Sequence, residues 1–222
     1  GGSILATPAL LYVVGVSNPH MAIGTSALAV SINAFANLIP HARRGNVKWR
    51  CAAVFAGSGI AGAALGASIG KLTDARILLP LFALAMIVIG VLMLRPRKNE
   101  GDGDVRLSRE NAPKLVGYGL AAGAVSGFFG IGGGFLIVPG LIAASGMTMI
   151  QAVGSSLFSV GTFGATTAAT YAFDGLVDWR IAGLFIFGGI VGGMMGAGLA
   201  EHLAKQRGML QRVFAGVVFV VA

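Results

Sequence analysis

The stretch Gly127–Gly146, GFFGIGGGFLIVPGLIAASG, constrains this chain more than any other. It lies in apolar surroundings, yet it cannot form one smooth helix. Gly130, Gly132, Gly133 and Gly134 gather at one point, and Pro139 follows. A glycine inside a helix costs about 1 kcal/mol and a proline about 3 kcal/mol. Two short helices meeting at a glycine-lined turn are therefore predicted. At membrane depth such irregular backbone survives only where protein buries it or where it lines a watery cavity. The N–H groups that open the second short helix, near Phe135, then face that cavity, and a helix N-terminus attracts anions.

The same pattern opens the chain. Gly1, Gly2, Leu5, Pro8, Leu10 and Gly15 match Gly132, Gly133, Leu136, Pro139, Leu141 and Gly146. After a one-residue shift, Gly24-Thr25-Ser26 matches Gly154-Ser155-Ser156. Gly45-Asn46-Val47-Lys48-Trp49-Arg50 matches Gly175-Leu176-Val177-Asp178-Trp179-Arg180, and Gly62 and Gly66 match Gly192 and Gly196. Apolar segments interrupted by Gly and Pro at corresponding places in two halves point to a transporter's binding site. The second copy carries an apolar segment, Leu115–Phe129, ahead of its turn, and nothing precedes Gly1. The expectation is that one short helix is missing at the N-terminus, and a few residues after Ala222.

Composition sets the environment. Hydrophobic residues make up 55% and charged residues 11%, against about 25% charged in soluble domains, and the mean hydropathy is +0.83. The expected class is an all-α integral membrane protein, multi-pass in the cell (inner) membrane. Its single cysteine, Cys51, excludes an intrachain disulfide and a cysteine metal cluster. The net charge of +8 is read as loop charge that orients the chain, with lipid and not nucleic acid as its surroundings.

Three divisions follow: a first transmembrane repeat (1–94), a polar cytoplasmic linker (95–114) and a second transmembrane repeat (115–222). Spans are expected at Met21–Ile39, Cys51–Gly70, Ile77–Leu94, Gln151–Phe173, Ile181–Leu203 and from Leu210 onward. Ile4–Val16 is too short to cross a core that needs about 20 helical residues. Gly62-xxx-Gly66-xxx-Gly70 allows close helix contact. The loop His41–Arg50 holds Arg43, Arg44, Lys48 and Arg50 and no acid, whereas its counterpart Asp174–Arg180 holds two acids and one arginine. Basic loops stay cytoplasmic, so the two loops are expected on opposite sides. The fold class predicted is thus two inverted repeats of transmembrane helices, each with a glycine-broken helix pair that returns to the side it entered from.

No enzyme constellation appears, and no cofactor is expected. His20, His41 and His202 fall near element ends without metal-site spacing. No carboxylate lies mid-span, which argues against a cation carrier. The interior instead offers neutral donors. The candidate substrate-binding residues are the turns at Gly1 and Gly2 and at Gly132, Gly133 and Gly134, the hydroxyl pairs Thr25, Ser26 and Ser155, Ser156, and Asn33. Asn37, one helical turn on, shares a face with Asn33, while Phe163 occupies the position that matches Asn33. Most Ser and Thr residues in spans bond their own helix or join helices; the two pairs stand out because they are repeat-equivalent. Trp49 and Trp179 read as interface anchors.

The run Gly130–Pro139, GIGGGFLIVP, resembles the signature of the TauE/SafE sulfite exporter family. So do Ala152-Val153-Gly154-Ser155-Ser156 and Gly175-Leu176-Val177-Asp178-Trp179-Arg180, in the same order and spacing. The first copy departs from it at Ser3. The resemblance implies a bacterial-type inner-membrane exporter of small sulfur-containing anions, such as sulfite or organosulfonates, working by alternating access. The residues alone also leave open a passive anion channel or a non-transporting assembly factor, and a homo-oligomer.

Overall fold

The structure, a computed structural model, describes residues 3–74, most of 76–84, 105–130 and 134–204, with side chains from 5 to 192 except that of Phe135. Gly1, Gly2, Gly132, Gly133, most of the expected span Ile77–Leu94, the linker before residue 105 and the expected last span lie outside the described residues. Every regular element among the described residues is helical.

Helix α1 (Ser3–Pro8) runs into a π-helical turn (Ala9–Val13). The wider turn follows a proline, whose ring and missing N–H disturb the regular ladder. Helix α2 (Pro19–Arg43) starts with Pro19 in its first turn, and the Asn18 side chain accepts the His20 N–H at 3.0 Å. Helix α3 spans Trp49–Leu72. Helix α4 (Ala112–Phe129) begins inside the segment expected as linker and stops at Gly130, whose φ is 66°. A left-handed glycine is the usual way to end a helix. The chain resumes in α5 (Gly134–Ser145), so the predicted break falls where the glycines cluster. Helices α6 (Met149–Ala172) and α7 (Trp179–Ala204) complete the described order.

The duplication is visible in the backbone. Gly15 and Gly146 have φ of 79° and 74°, and Gly45 and Gly175 have 71° and 70°. Each pair is repeat-equivalent, so the chain turns by the same left-handed step at matching places. Helix α5 folds back along α4: Gly140 faces the Tyr118 side chain and the Phe55 ring. Met147, just after α5, shares an apolar cluster with Leu115 and Val105 near the start of α4. The broken pair therefore returns toward the end from which it set out.

Helices α2 and α6 pack antiparallel. Ser31 Oγ donates to the Gly161 carbonyl at 2.7 Å, Ala27 and Ser31 crowd Gly164, and Phe35 crowds Gly161. Ser31 and Gly161 are repeat-equivalent, so matching residues meet across the centre of the molecule. Helices α2 and α3 are each long and apolar enough to cross a membrane. Helix α6 has similar length and carries many serines and threonines.

Helices α3 and α4 run parallel at backbone contact. The expected glycine ladder of α3 is real, and its partner is a second ladder, Gly119, Gly123 and Gly127. A side chain on Gly62 or Gly66 would strike the Leu120 or Ala124 carbonyl; one on Gly123 or Gly127 would strike the Gly59 or Ala63 carbonyl. Lipid gives no hydrophobic drive for helices to associate, so close packing of this kind has to hold them. Gly123→Leu is expected to lower stability by about 3 kcal/mol or more, at or beyond the upper end of ordinary overpacking. Gly117→Ala, which meets open space, should be neutral or slightly stabilising. Thermal unfolding of the two variants in detergent checks this.

Candidate functional site

A cavity of about 610 Å³ opens where α1, α2, α5, α6 and α7 meet. Asn33 and Asn37 line it from α2, Gly134 and Val138 from α5, Ser156 from α6, and Phe185 from α7. Among the described residues, no charged side chain lines it. Asn33 Oδ1 is buried without a hydrogen-bond partner among the described residues. Leaving a buried polar atom unpaired costs about 1–3 kcal/mol, so this oxygen, an acceptor, invites water or a donor group, while the amide's Nδ2 is its only donor. Asn37 Nδ2 donates to the Asn33 carbonyl at 2.8 Å, and Ser156 Oγ to the Val153 carbonyl at 2.8 Å. Both can turn from these bonds within their own helix toward a guest. Gly134 opens α5 at the cavity edge, where the first N–H groups of a helix have no partner in the helix itself.

The repeat-equivalent hydroxyls divide by role. Thr25 Oγ1 accepts the Asp178 N–H at 2.9 Å, and Ser155 Oγ accepts the Lys48 N–H at 2.9 Å. Asp178 and Lys48 stand immediately before α7 and α3, so each half supplies the hydroxyl that satisfies a helix start in the other half. The adjacent glycines make room for this exchange. A side chain on Gly24 would strike the Leu176 carbonyl, and one on Gly154 would strike the Asn46 carbonyl. Val47 and Val177, in the same loops, are buried. Ser26 is engaged elsewhere, bonding Thr7 Oγ1 at 2.9 Å and the Ile23 carbonyl at 3.0 Å.

Of the expected site residues, the structure brings Asn33, Gly134 and Ser156 to one cavity. Thr25, Ser26 and Ser155 are not among its lining residues, and Gly1, Gly2, Gly132 and Gly133 lie outside the described residues. Sequence reasoning placed Asn37 on the Asn33 face without assigning it to the site, and it missed the α7 wall altogether. Gly189 abuts the Asn33 amide just as its repeat equivalent, Gly59, abuts Phe163. That equivalence was the available signal for α7. Thr25→Val and Ser155→Ala should each lower stability by about 1 kcal/mol, because each removes a hydrogen bond to a part-buried backbone N–H. Neither should alter occupancy of the cavity. Unfolding curves with and without ligand separate the two effects.

The sequence matches the family described as Sulfite exporter TauE/SafE over residues 1–222. Among relatives, a "Probable membrane transporter protein" of Xylella fastidiosa (strain 9a5c) is 55% identical over 223 residues, covering 100% of this chain and 85% of that protein. The "Probable membrane transporter protein YunE" of Bacillus subtilis (strain 168) is 28% identical, covering 96% of this chain and 86% of that protein. A third, YjnA of the same strain and also named a probable membrane transporter protein, is 26% identical over 99% of this chain and 89% of its own length. No solved structure matches the chain. The full-length match, together with the glycine-broken helix pair and the repeated loop motif, places the chain in the TauE/SafE sulfite exporter family.

Proposed function

We propose that the protein is a multi-pass inner-membrane transporter that exports small sulfur-containing anions by alternating access, and that the cavity between Asn33, Ser156 and Gly134 holds the substrate. The observation that carries this reading is chemical. The cavity is bounded by apolar walls, a helix start and neutral amide and hydroxyl groups, with no fixed charge among the described lining residues. Such a lining can solvate an anion through N–H and O–H donors without the strong hold of an arginine or lysine. Gly132 and Gly133, immediately before α5, would extend the set of backbone donors.

The family description supports the sulfur-anion class, and the relatives' names support transport. Inverted repeats supply the moving parts. The reading is supported by the antiparallel meeting of Ser31 with its equivalent Gly161, by the return of α5 along α4, and by the charge contrast between the loops at 41–50 and 174–180. Two halves related in this way present the same contacts to opposite sides of the membrane, so rocking one half against the other exposes the cavity to each side in turn.

The test is thermal unfolding in detergent against sulfite, thiosulfate, sulfoacetate, taurine, sulfate and chloride. A ligand at a hundred times its dissociation constant stabilises the folded state by about 2.7 kcal/mol. One sulfur anion is expected to raise the melting temperature selectively. Asn33→Ala should keep the unliganded melting temperature and weaken binding by about tenfold or more, since a hydrogen bond to a charged group contributes roughly 1.5–3 kcal/mol. A selective response that Asn33→Ala leaves unchanged would move the site elsewhere.

A further inference from the structure

Two apolar clusters fill the interior, one holding Val30, Ala122 and Phe163 and the other Ile23, Phe129 and Tyr171. Between them three helices each carry a hydroxyl, about one turn from its neighbour in either cluster: Ser26 on α2, Ser126 on α4 and Thr167 on α6. Thr7 of α1 joins this layer through its 2.9 Å bond to Ser26. All four residues are at most 3% exposed. The register of the helices agrees. Gly127 lies against Ala63, and Gly59 against Phe163, which brings Ser126 and Thr167 to one level; Gly130 lies against Ile23, one turn before Ser26.

Ser126 Oγ and Thr167 Oγ1 have no hydrogen-bond partner among the described residues. They do not bond their own helix, as Thr166 and Thr170 do. The hydrogens of the other two hydroxyls are committed. Ser26 gives its single hydrogen to the Ile23 carbonyl at 3.0 Å, so Thr7 has to give its own to Ser26. A hydroxyl has one hydrogen and two lone pairs, so Thr7 Oγ1 keeps only lone pairs for its surroundings. Ser126 and Thr167 add theirs. Oxygen lone pairs converging in a buried layer are what a hard cation takes as ligands. Among the described residues no acid is buried, and the cost of burying charge rises with its square, so the layer suits a monovalent ion and not a divalent one.

The repeat supplies a second reason. Thr7, Ser26 and Thr167 correspond to Val138, Ser156 and Asn37, and those three line the cavity. The layer is thus the cavity's counterpart in the other repeat, closed to a band of hydroxyls. The two are also neighbours. Ala6, beside Thr7, and Val30, one turn from Ser26, both line the cavity.

We infer that Thr7, Ser126 and Thr167 form a site for a dehydrated sodium ion next to the cavity. The site itself rests on the layer. Its link to the substrate rests on the proposed function: an ion here supplies the positive charge that the described cavity lining lacks, so ion and anion each strengthen the binding of the other.

The experiment is thermal unfolding of the purified protein in detergent, with sodium chloride exchanged for choline chloride at constant chloride and ionic strength. Sodium is expected to raise the melting temperature saturably. Ser126→Ala and Thr167→Val should each abolish that rise while melting in choline as the parent does, since neither hydroxyl has a partner to lose. Thr167→Ser, which keeps the oxygen, should retain the rise. A melting temperature indifferent to sodium would overturn the site and mark the layer as holding water, and a sodium response kept by both variants would overturn it as well. For the link, the anion that stabilises the protein should bind about fivefold or more tightly in sodium than in choline. Equal affinity would overturn the link and leave the site. A sodium response with no response to any anion would overturn the transport reading alone.

Discussion

Two hydroxyls hold the halves of this molecule in register. A helix start carries N–H groups with no partner in the helix itself, and where such a group is drawn part-way out of water a missing partner costs free energy. Here the N–H groups of Lys48 and Asp178, at the starts of α3 and α7, are answered by Ser155 and Thr25 from the opposite repeat. The glycine before each hydroxyl lets a loop carbonyl approach at backbone distance. The left-handed Gly45 and Gly175 turn those loops inward, and Val47 and Val177 pin them. The two short motifs that recur in the sequence, one at Gly24 and Gly154 and the other at Gly45 and Gly175, are thus lock and key to each other across the repeat. Each half adds one hydroxyl to a helix start of the other, beside local caps such as Asp178 Oδ1, which accepts the Arg180 and Ile181 N–H groups at 2.9 and 3.0 Å.

The remaining architecture divides the work of cohesion between two kinds of contact. The parallel α3 and α4 meet glycine against backbone, which maximises dispersion contact in the absence of a hydrophobic drive. The antiparallel α2 and α6 meet through small residues, one buried hydroxyl-to-carbonyl bond and the Phe35 ring. Phe55 and Phe163 stack with centroids 6.3 Å apart where α3 and α6 adjoin. Several hydroxyls are answered locally, as at Thr162, Thr166 and Thr170, each of which bonds a carbonyl of its own helix.

What the sequence made legible follows from the range of each interaction. The break at Gly130–Gly134 and the start of α2 at Asn18-Pro19 are governed by neighbours within one turn, so they could be read in one dimension. The glycine ladder of α3 announced a close contact without naming its partner, because Gly119, Gly123 and Gly127 belong to another helix. The hydroxyl pairs were harder. Thr25 and its partner Asp178 stand 153 residues apart, and nothing local distinguishes a hydroxyl that seats a loop from one that faces a guest. Repeat equivalence marked Thr25 and Ser155 as important but could not say for what. That Asn33 faces an interior cavity was legible, because an amide is costly in lipid wherever it falls. The α7 wall was not, because a glycine such as Gly189 carries no chemistry until its neighbour is known.

The two halves are alike in their joints and unlike in their interiors. At the place where one repeat offers the Asn33 amide against Gly189, the other sets the Phe163 ring against Gly59 and stacks it on Phe55. The likeness of the joints thus stops short of the interior: at matching places one half turns an amide to a cavity and the other buries a stacked ring, so the two halves are chemically distinguishable from within.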